Sequence, residues 1–190
     1  MFKDPILLKL IKKYGKAKFS DRSKFLFDDL IDSIISQQLS LKAAATILKR
    51  FKELFNSKDL FPKASEILKK KDEEIRKAGI SFAKIKYIKG IALAYKNKEL
   101  NYKKFSKMTD DEAIAEFTKL KGVGRWTAEM TLIFTFCRPD VFSAGDGGLR
   151  RAIKNLYKIE EEKKILELSL KWKPNRSKAS WYLWRSLENK

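Results

Sequence analysis

The stretch Leu120-Lys121-Gly122-Val123-Gly124-Arg125-Trp126-Thr127 decides how this chain is to be read. One helix ends at about Leu120, two glycines frame a single apolar residue, and a new apolar helix opens. Glycine tolerates positive φ and lets a phosphate approach the backbone with no Cβ in the way. The N–H groups that begin the new helix then point at that phosphate, and the helix dipole favours its charge. Val123 is the apolar staple that tucks the turn into the core. Gly-x-Gly alone also makes an ordinary tight turn between helices. The following Arg-Trp-Thr-Ala and the basic chain around it favour phosphate binding.

Outward from this hairpin, helical spacing dominates. Leu26/Phe27, Leu30/Ile31 and Ile34/Ile35 recur at intervals of three to four, followed at once by Gln37-Gln38-Leu39-Ser40. Ser40 is the expected N-cap of a helix through Ala43-Ala44-Ala45, Ile47, Leu48 and Phe51. Gly79 reads as a helix terminator, with the next apolar stripe at Phe82, Ile85, Ile88 and Ala92. Thr109-Asp110-Asp111-Glu112 has the form of a capping box. Leu166 and Leu170, then Tyr182, Trp184 and Leu187, mark two closing helices split by Pro174. No segment alternates with period two and no Asn-Gly hairpin signal occurs, so the fold is expected to be all-α.

Length and a hydrophobic fraction of 44% allow one ordinary domain or two small lobes across 190 residues. Charges break the apolar runs well short of a membrane span, so no membrane partner is expected. The chain opens with no charged leader, apolar stretch and small-residue cleavage site, which predicts a cytoplasmic location, nucleoid-associated in a prokaryote. Forty-three Lys and Arg against 24 Asp and Glu leave a formal charge of +19. Such a surface attracts polyanions, most often nucleic acid, although an organism rich in Lys would show the same excess. The absence of His removes Ser-His-Asp and Cys-His systems and imidazole zinc sites. The single cysteine, Cys137, sits in the apolar run Leu132-Ile133-Phe134-Thr135-Phe136 and is expected to be a buried small hydrophobe. Acid–base chemistry therefore falls to carboxylates, Lys, Tyr or water. No metal site and no cofactor are expected.

Downstream of the hairpin comes Pro139-Asp140-Val141-Phe142-Ser143-Ala144-Gly145-Asp146-Gly147-Gly148-Leu149. Asp146 stands in a glycine-rich turn before a helix, where an aspartate is often a simple N-cap. Asp140 precedes an apolar pair and fits a loop carboxylate or cap.

Gly122 to Met130, followed by Asp140-Val141-Phe142 and Asp146, resembles the helix-hairpin-helix DNA glycosylase superfamily, and within it the 3-methyladenine (alkylated-base) branch. Ile34-Ile35-Ser36-Gln37-Gln38-Leu39-Ser40 is similar to that branch's early helix and wedge loop. Trp172-Lys173-Pro174-Asn175-Arg176-Ser177, with Ala179 and Tyr182-Leu183-Trp184-Arg185, is similar to its closing signature. In order, these segments span about residues 25–187. One departure is Gly147-Gly148, where relatives often place an apolar residue directly after the aspartate.

The resemblance implies a single glycosylase domain over 1–190, built as two helical lobes flanking a DNA-binding cleft. Lobe one would be about 24–125, and lobe two 1–23 plus about 126–190. The partner it implies is double-stranded DNA carrying a damaged base, bound by a monomer. A stacked base is out of reach, so the target is extruded. Gln38, or Leu39 beside it, would wedge into the gap, unless the glutamines merely cap neighbouring helices. Trp126, Trp184 and Met130 fall at the base pocket, and an indole face over a cationic alkylated purine contributes roughly 0.5–2 kcal/mol. Trp172 and Trp181 are read as core. Lys121, Gly122, Val123, Gly124 and Arg125 form the DNA-binding hairpin. Asp146 would be the catalytic carboxylate, stabilising an oxocarbenium-like sugar and orienting water. The strand-nicking branch places a Schiff-base lysine just after the hairpin, and Trp126 stands there instead, which implies a monofunctional enzyme. Two alternatives stay open: a glycosylase of the same fold for oxidised, deaminated or mismatched bases, and a non-catalytic helix-hairpin-helix module that only grips DNA.

Overall fold

The computed structural model describes residues 2–55 and 61–188, and among these every regular element is helical. The chain divides into two compact units, Arg22–Thr131 and Met1–Asp21 with Leu132–Lys190.

In the unit Arg22–Thr131, a 3-10 turn at Ser23–Phe25 leads into α2 (Leu26–Ser36), α3 (Leu41–Glu53), α4 (Ala64–Lys69), α5 (Asp72–Arg76), α6 (Phe82–Lys96), α7 (Tyr102–Phe105), α8 (Asp110–Thr118) and α9 (Arg125–Met130). α6 is the central element, packed against α2, α4 and α5. The apolar stripe read in the sequence is the buried face of α2: Leu30, Ile31 and Ile34 are fully enclosed, as are Ile85, Ile88 and Ala92 of α6. Local chemistry marks the helix ends. Ser40 accepts from the Ala43 N–H. Ser81 does the same for Lys84. Thr109 and Glu112 form the reciprocal capping box. Each such cap contributes about 1 kcal/mol.

In the other unit, α1 (Pro5–Tyr14) packs on α12 (Arg176–Arg185), and α10 (Gly147–Tyr157) packs on the same helix. α11 (Glu162–Leu170) adds Ile165 and Leu168 to their shared core with Leu7, Leu149, Ile153, Trp172 and Leu183. Two polar ties join the first residues to the last helices. Asp4 caps α1 through the Ile6 and Leu7 N–H groups, and also accepts from the Tyr157 hydroxyl at 2.9 Å and the Trp172 indole N–H at 3.1 Å. Burial, and then the adjacent Asp4 oxygen, hold the Tyr157 hydroxyl protonated far above the usual phenol range. The Tyr182 hydroxyl donates to the Gly15 carbonyl and accepts from the Ala17 N–H.

The burial expected of Cys137 and of Trp181 needs correction. Cys137 is half-buried, not enclosed in the core. The apolar run ahead of it is a π-helical turn, Thr131–Thr135, closed by the Arg138 N–H donating to the Leu132 carbonyl. Ending that wide turn places Cys137 in the left-handed region at φ 53°. Its side chain is thereby turned away from the core that the apolar run before it enters. Trp172 is core, 1% exposed, whereas Trp181 is only partly buried.

Candidate active site and nucleic-acid interface

The turn before α10 is held by α12. Arg176 at the start of α12 donates its backbone N–H and its guanidinium to Asp140, at 3.2 and 2.9 Å. The Ser177 hydroxyl donates to the Arg138 carbonyl and accepts from the Val141 N–H. Asp140 is thus a cap carboxylate donated from a distant loop. Burial pushes its pKa up, but the hydrogen bonds and charge of Arg176 more than reverse this and leave it below the usual aspartate value.

With that loop latched, the chain turns through Ser143–Asp146 and Asp146 becomes the N-cap of α10. Its Oδ1 accepts from the Leu149 N–H at 2.7 Å and from the Trp184 indole N–H at 2.8 Å. The residue is 8% exposed. Capping therefore leaves this carboxylate buried and fixed: the Leu149 amide orients the side chain, and the indole holds it from the other side.

At Gly147, directly after the aspartate, a Cβ would meet nothing within 4 Å, whereas Gly148 has a steric role. A Cβ on Gly148 would lie 3.0 Å from Asp146 Oδ1 and 3.1 Å from Trp184 Cδ1. The absent side chain leaves the space through which carboxylate and indole meet. Trp184 also packs against Phe134 (centroids 5.6 Å apart), which stacks in turn on Phe19 at 6.2 Å. Phe134 is 42% exposed. Sequence reading missed both residues because nothing local distinguishes Phe134 from the apolar run around it, and Phe19 lies in a segment without periodicity.

Trp126 and Met130 belong to α9 in the other unit, Trp126 half exposed and Met130 partly buried. The hairpin that precedes them has the expected geometry. Gly122 adopts φ 89°, and a Cβ there would meet Tyr87 Cδ2 at 2.4 Å. Val123 is 3% exposed, and its N–H donates to the Leu120 carbonyl. Gly124 opens α9 with no side-chain cap, unlike Ser40, Ser81 or Thr109 at their helices. Lys121 and Arg125 are exposed, Arg125 pairing with Glu129 at 2.9 Å.

Gln38 and Leu39 occupy the exposed turn between α2 and α3, with Gln38 left-handed at φ 59°. The Gln37 side-chain amide donates to the Gly122 carbonyl at 3.0 Å, tying this turn to the hairpin. Lys84 of α6 donates to the carbonyls of Ile35 and Gln37, at 2.8 and 2.6 Å. Burial lowers the pKa of its ammonium. Among the described residues no three of His, Cys, Asp and Glu gather as metal ligands, and no helix is long and apolar enough to cross a membrane.

Two helices, α8 and α9, packed together and joined by a glycine hairpin, define a helix-hairpin-helix protein. Residues 31–175 match the family described as HhH-GPD superfamily base excision DNA repair protein, and the chain belongs to that family. It is 36% identical to DNA-3-methyladenine glycosylase 1 of Schizosaccharomyces pombe, over 95% of this chain and 80% of that protein. Among solved structures, a DNA-3-methyladenine glycosidase from Bacillus halodurans superposes with a TM-score of 0.86 at 33% identity, covering 98% of this chain and 86% of the other. The S. pombe 3-methyladenine DNA glycosylase in complex with abasic DNA superposes at 0.85 with 34% identity, covering 97% and 92%. An 8-oxoguanine glycosylase/lyase from Clostridium acetobutylicum, 21% identical, shares the fold alone.

Proposed function

We propose that this protein excises alkylated, 3-methyladenine-type bases from double-stranded DNA, hydrolysing the N-glycosidic bond and leaving an abasic site. The observation that carries the reading is the Asp146 carboxylate, buried at the start of α10 and held by the Leu149 amide and the Trp184 indole. A fixed anion is what departure of a cationic base demands: positive charge grows on the deoxyribose as the bond breaks, and a carboxylate already in place needs no reorganisation to meet it. The same group orients or deprotonates the attacking water.

The remaining residues support this in sequence. The hairpin Lys121–Arg125 grips a phosphate, with the first turn of α9 uncapped by any side chain of Gly124. Gln38 or Leu39 fills the gap left by the extruded nucleotide. Trp184 is an aromatic of the base pocket, with Phe134 beside it as a further wall, and Trp126 and Met130 keep the base-contacting role that the resemblance implies for each. Trp126 stands where a Schiff-base lysine would be needed, so strand cleavage is not part of the activity, and the enzyme acts as a monomer.

Release of free bases from methylated genomic DNA, identified by chromatography, tests the reading. The wild-type protein releases 3-methyladenine, and Asp146→Asn releases none while still binding abasic DNA. Undiminished release by Asp146→Asn removes the assignment, and a borohydride-trapped adduct removes the monofunctional part.

A further inference from the structure

The turn carrying Gln38 and Leu39 is tied down on two sides by groups that have no part in the chemistry above. α2 ends at Ser36, where the Ser33 and Ser36 carbonyls accept from the Gln37 and Leu39 N–H groups. Lys84 reaches from α6 to two carbonyls in this region, those of Ile35 and Gln37. A cation at a helix C-terminus also complements its dipole. From the other side, the Gln37 amide donates to Gly122 of the hairpin. Gly122 itself sits against the stem of Tyr87, close enough that no Cβ would fit. Lys84 and Tyr87 are three residues apart on α6, so they share one face of that helix. One helix thus indexes both loops, the exposed turn through Lys84 and the hairpin through Tyr87, and Gln37 closes the circuit between them.

We infer that Lys84 and Gln37 are positioning residues that hold the base-displacing turn in register with the phosphate-gripping hairpin. The inference rests on the proposed reading of Gln38 or Leu39 as the wedge. Extrusion requires that the phosphate be held and the gap be filled in one geometry. A turn free to drift by about 1 Å would fill the gap poorly and leave the chemistry at Asp146 untouched. The effect of losing either tie should therefore depend on how firmly the target base is paired.

The test uses full-length protein and oligonucleotides with one 7-methylguanine, opposite either cytosine or an abasic-site analogue. Lys84→Met and Gln37→Met are each expected to lower the single-turnover rate on the paired lesion about tenfold, and less than about threefold on the unpaired one, with Lys84→Arg within about threefold of wild type. Gln37→Met carries the test if Lys84→Met does not fold. A readout independent of excision is 2-aminopurine placed opposite an abasic analogue. Its fluorescence should change when wild type binds, and the two methionine variants should lose that change while their affinity falls less than about threefold. Equal losses on both substrates, no loss on the paired one, or an unchanged 2-aminopurine response overturns the inference. Asp146→Asn run alongside should be inactive on both substrates yet give the wild-type fluorescence. An active Asp146→Asn would sink the catalytic reading while leaving the fluorescence result to judge Lys84 and Gln37.

Discussion

Gly148 lies close against the indole of Trp184, a Cβ there falling 3.1 and 3.2 Å from Cδ1 and Nε1, tighter than ordinary van der Waals contact. Gly148→Ala therefore opposes two effects. Alanine favours a helix by up to about 1 kcal/mol over glycine, so thermal stability should hold or rise. The carboxylate or the indole must yield by a few tenths of an ångström, and excision should fall roughly tenfold in single-turnover kinetics. Thermal unfolding and excision measured on one preparation check this, and full activity in the alanine variant would show that the close approach is dispensable.

Trp184→Phe keeps an aromatic ring beside Phe134 and removes the N–H that reaches Asp146. A hydrogen bond to a charged group contributes about 1.5–3 kcal/mol, so the excision rate should drop by roughly ten- to a hundredfold. Binding to abasic DNA, measured by fluorescence anisotropy, should stay within about threefold of wild type.

Asp4→Ala removes the α1 cap and the partners of the Tyr157 hydroxyl and the Trp172 indole together. The cost should be about 3 kcal/mol, from a lost cap and two donors left in a partly buried site. The apparent Tm should fall by several degrees, with excision per folded molecule unchanged at low temperature. A change within the error of the melt would mean that water replaces Asp4 at no cost.

The Asp140–Arg176 pair makes stability depend on pH in one direction. Asp140 is held below its ordinary value of 3.8 in the folded chain. Its contribution is therefore fully present above that value and is lost as pH falls through the lowered native one. Arg176→Gln should be less stable than wild type in urea at about pH 7, and the difference should shrink at about pH 3. A difference independent of pH would mean that Arg176 acts through packing alone.

Much of the candidate site could be read from local pattern. Thr109 and Glu112 announce a helix start because cap and partner are three residues apart in any fold. Val123 between two glycines announces a buried staple for the same reason, and it is 3% exposed. Cys137 shows where this kind of reading fails. Apolar neighbours along the chain imply burial only while the backbone continues in one course, and the π-turn at Thr131–Thr135 followed by the left-handed Cys137 changes it.

The all-helical pattern, the helix ends, the hairpin and the place of Asp146 before α10 are local properties, since each depends on backbone preferences and hydrogen bonds spanning a few residues. Only packing brings Trp184 to Asp146 beside the gap at Gly148, and ties the turn at Gln38 to Lys84 and, through Gln37, to Gly122. Those partners stand tens of residues apart along the chain. They find one another only because buried apolar faces of α10 and α12, or of α2 and α6, fix the distance between their helices.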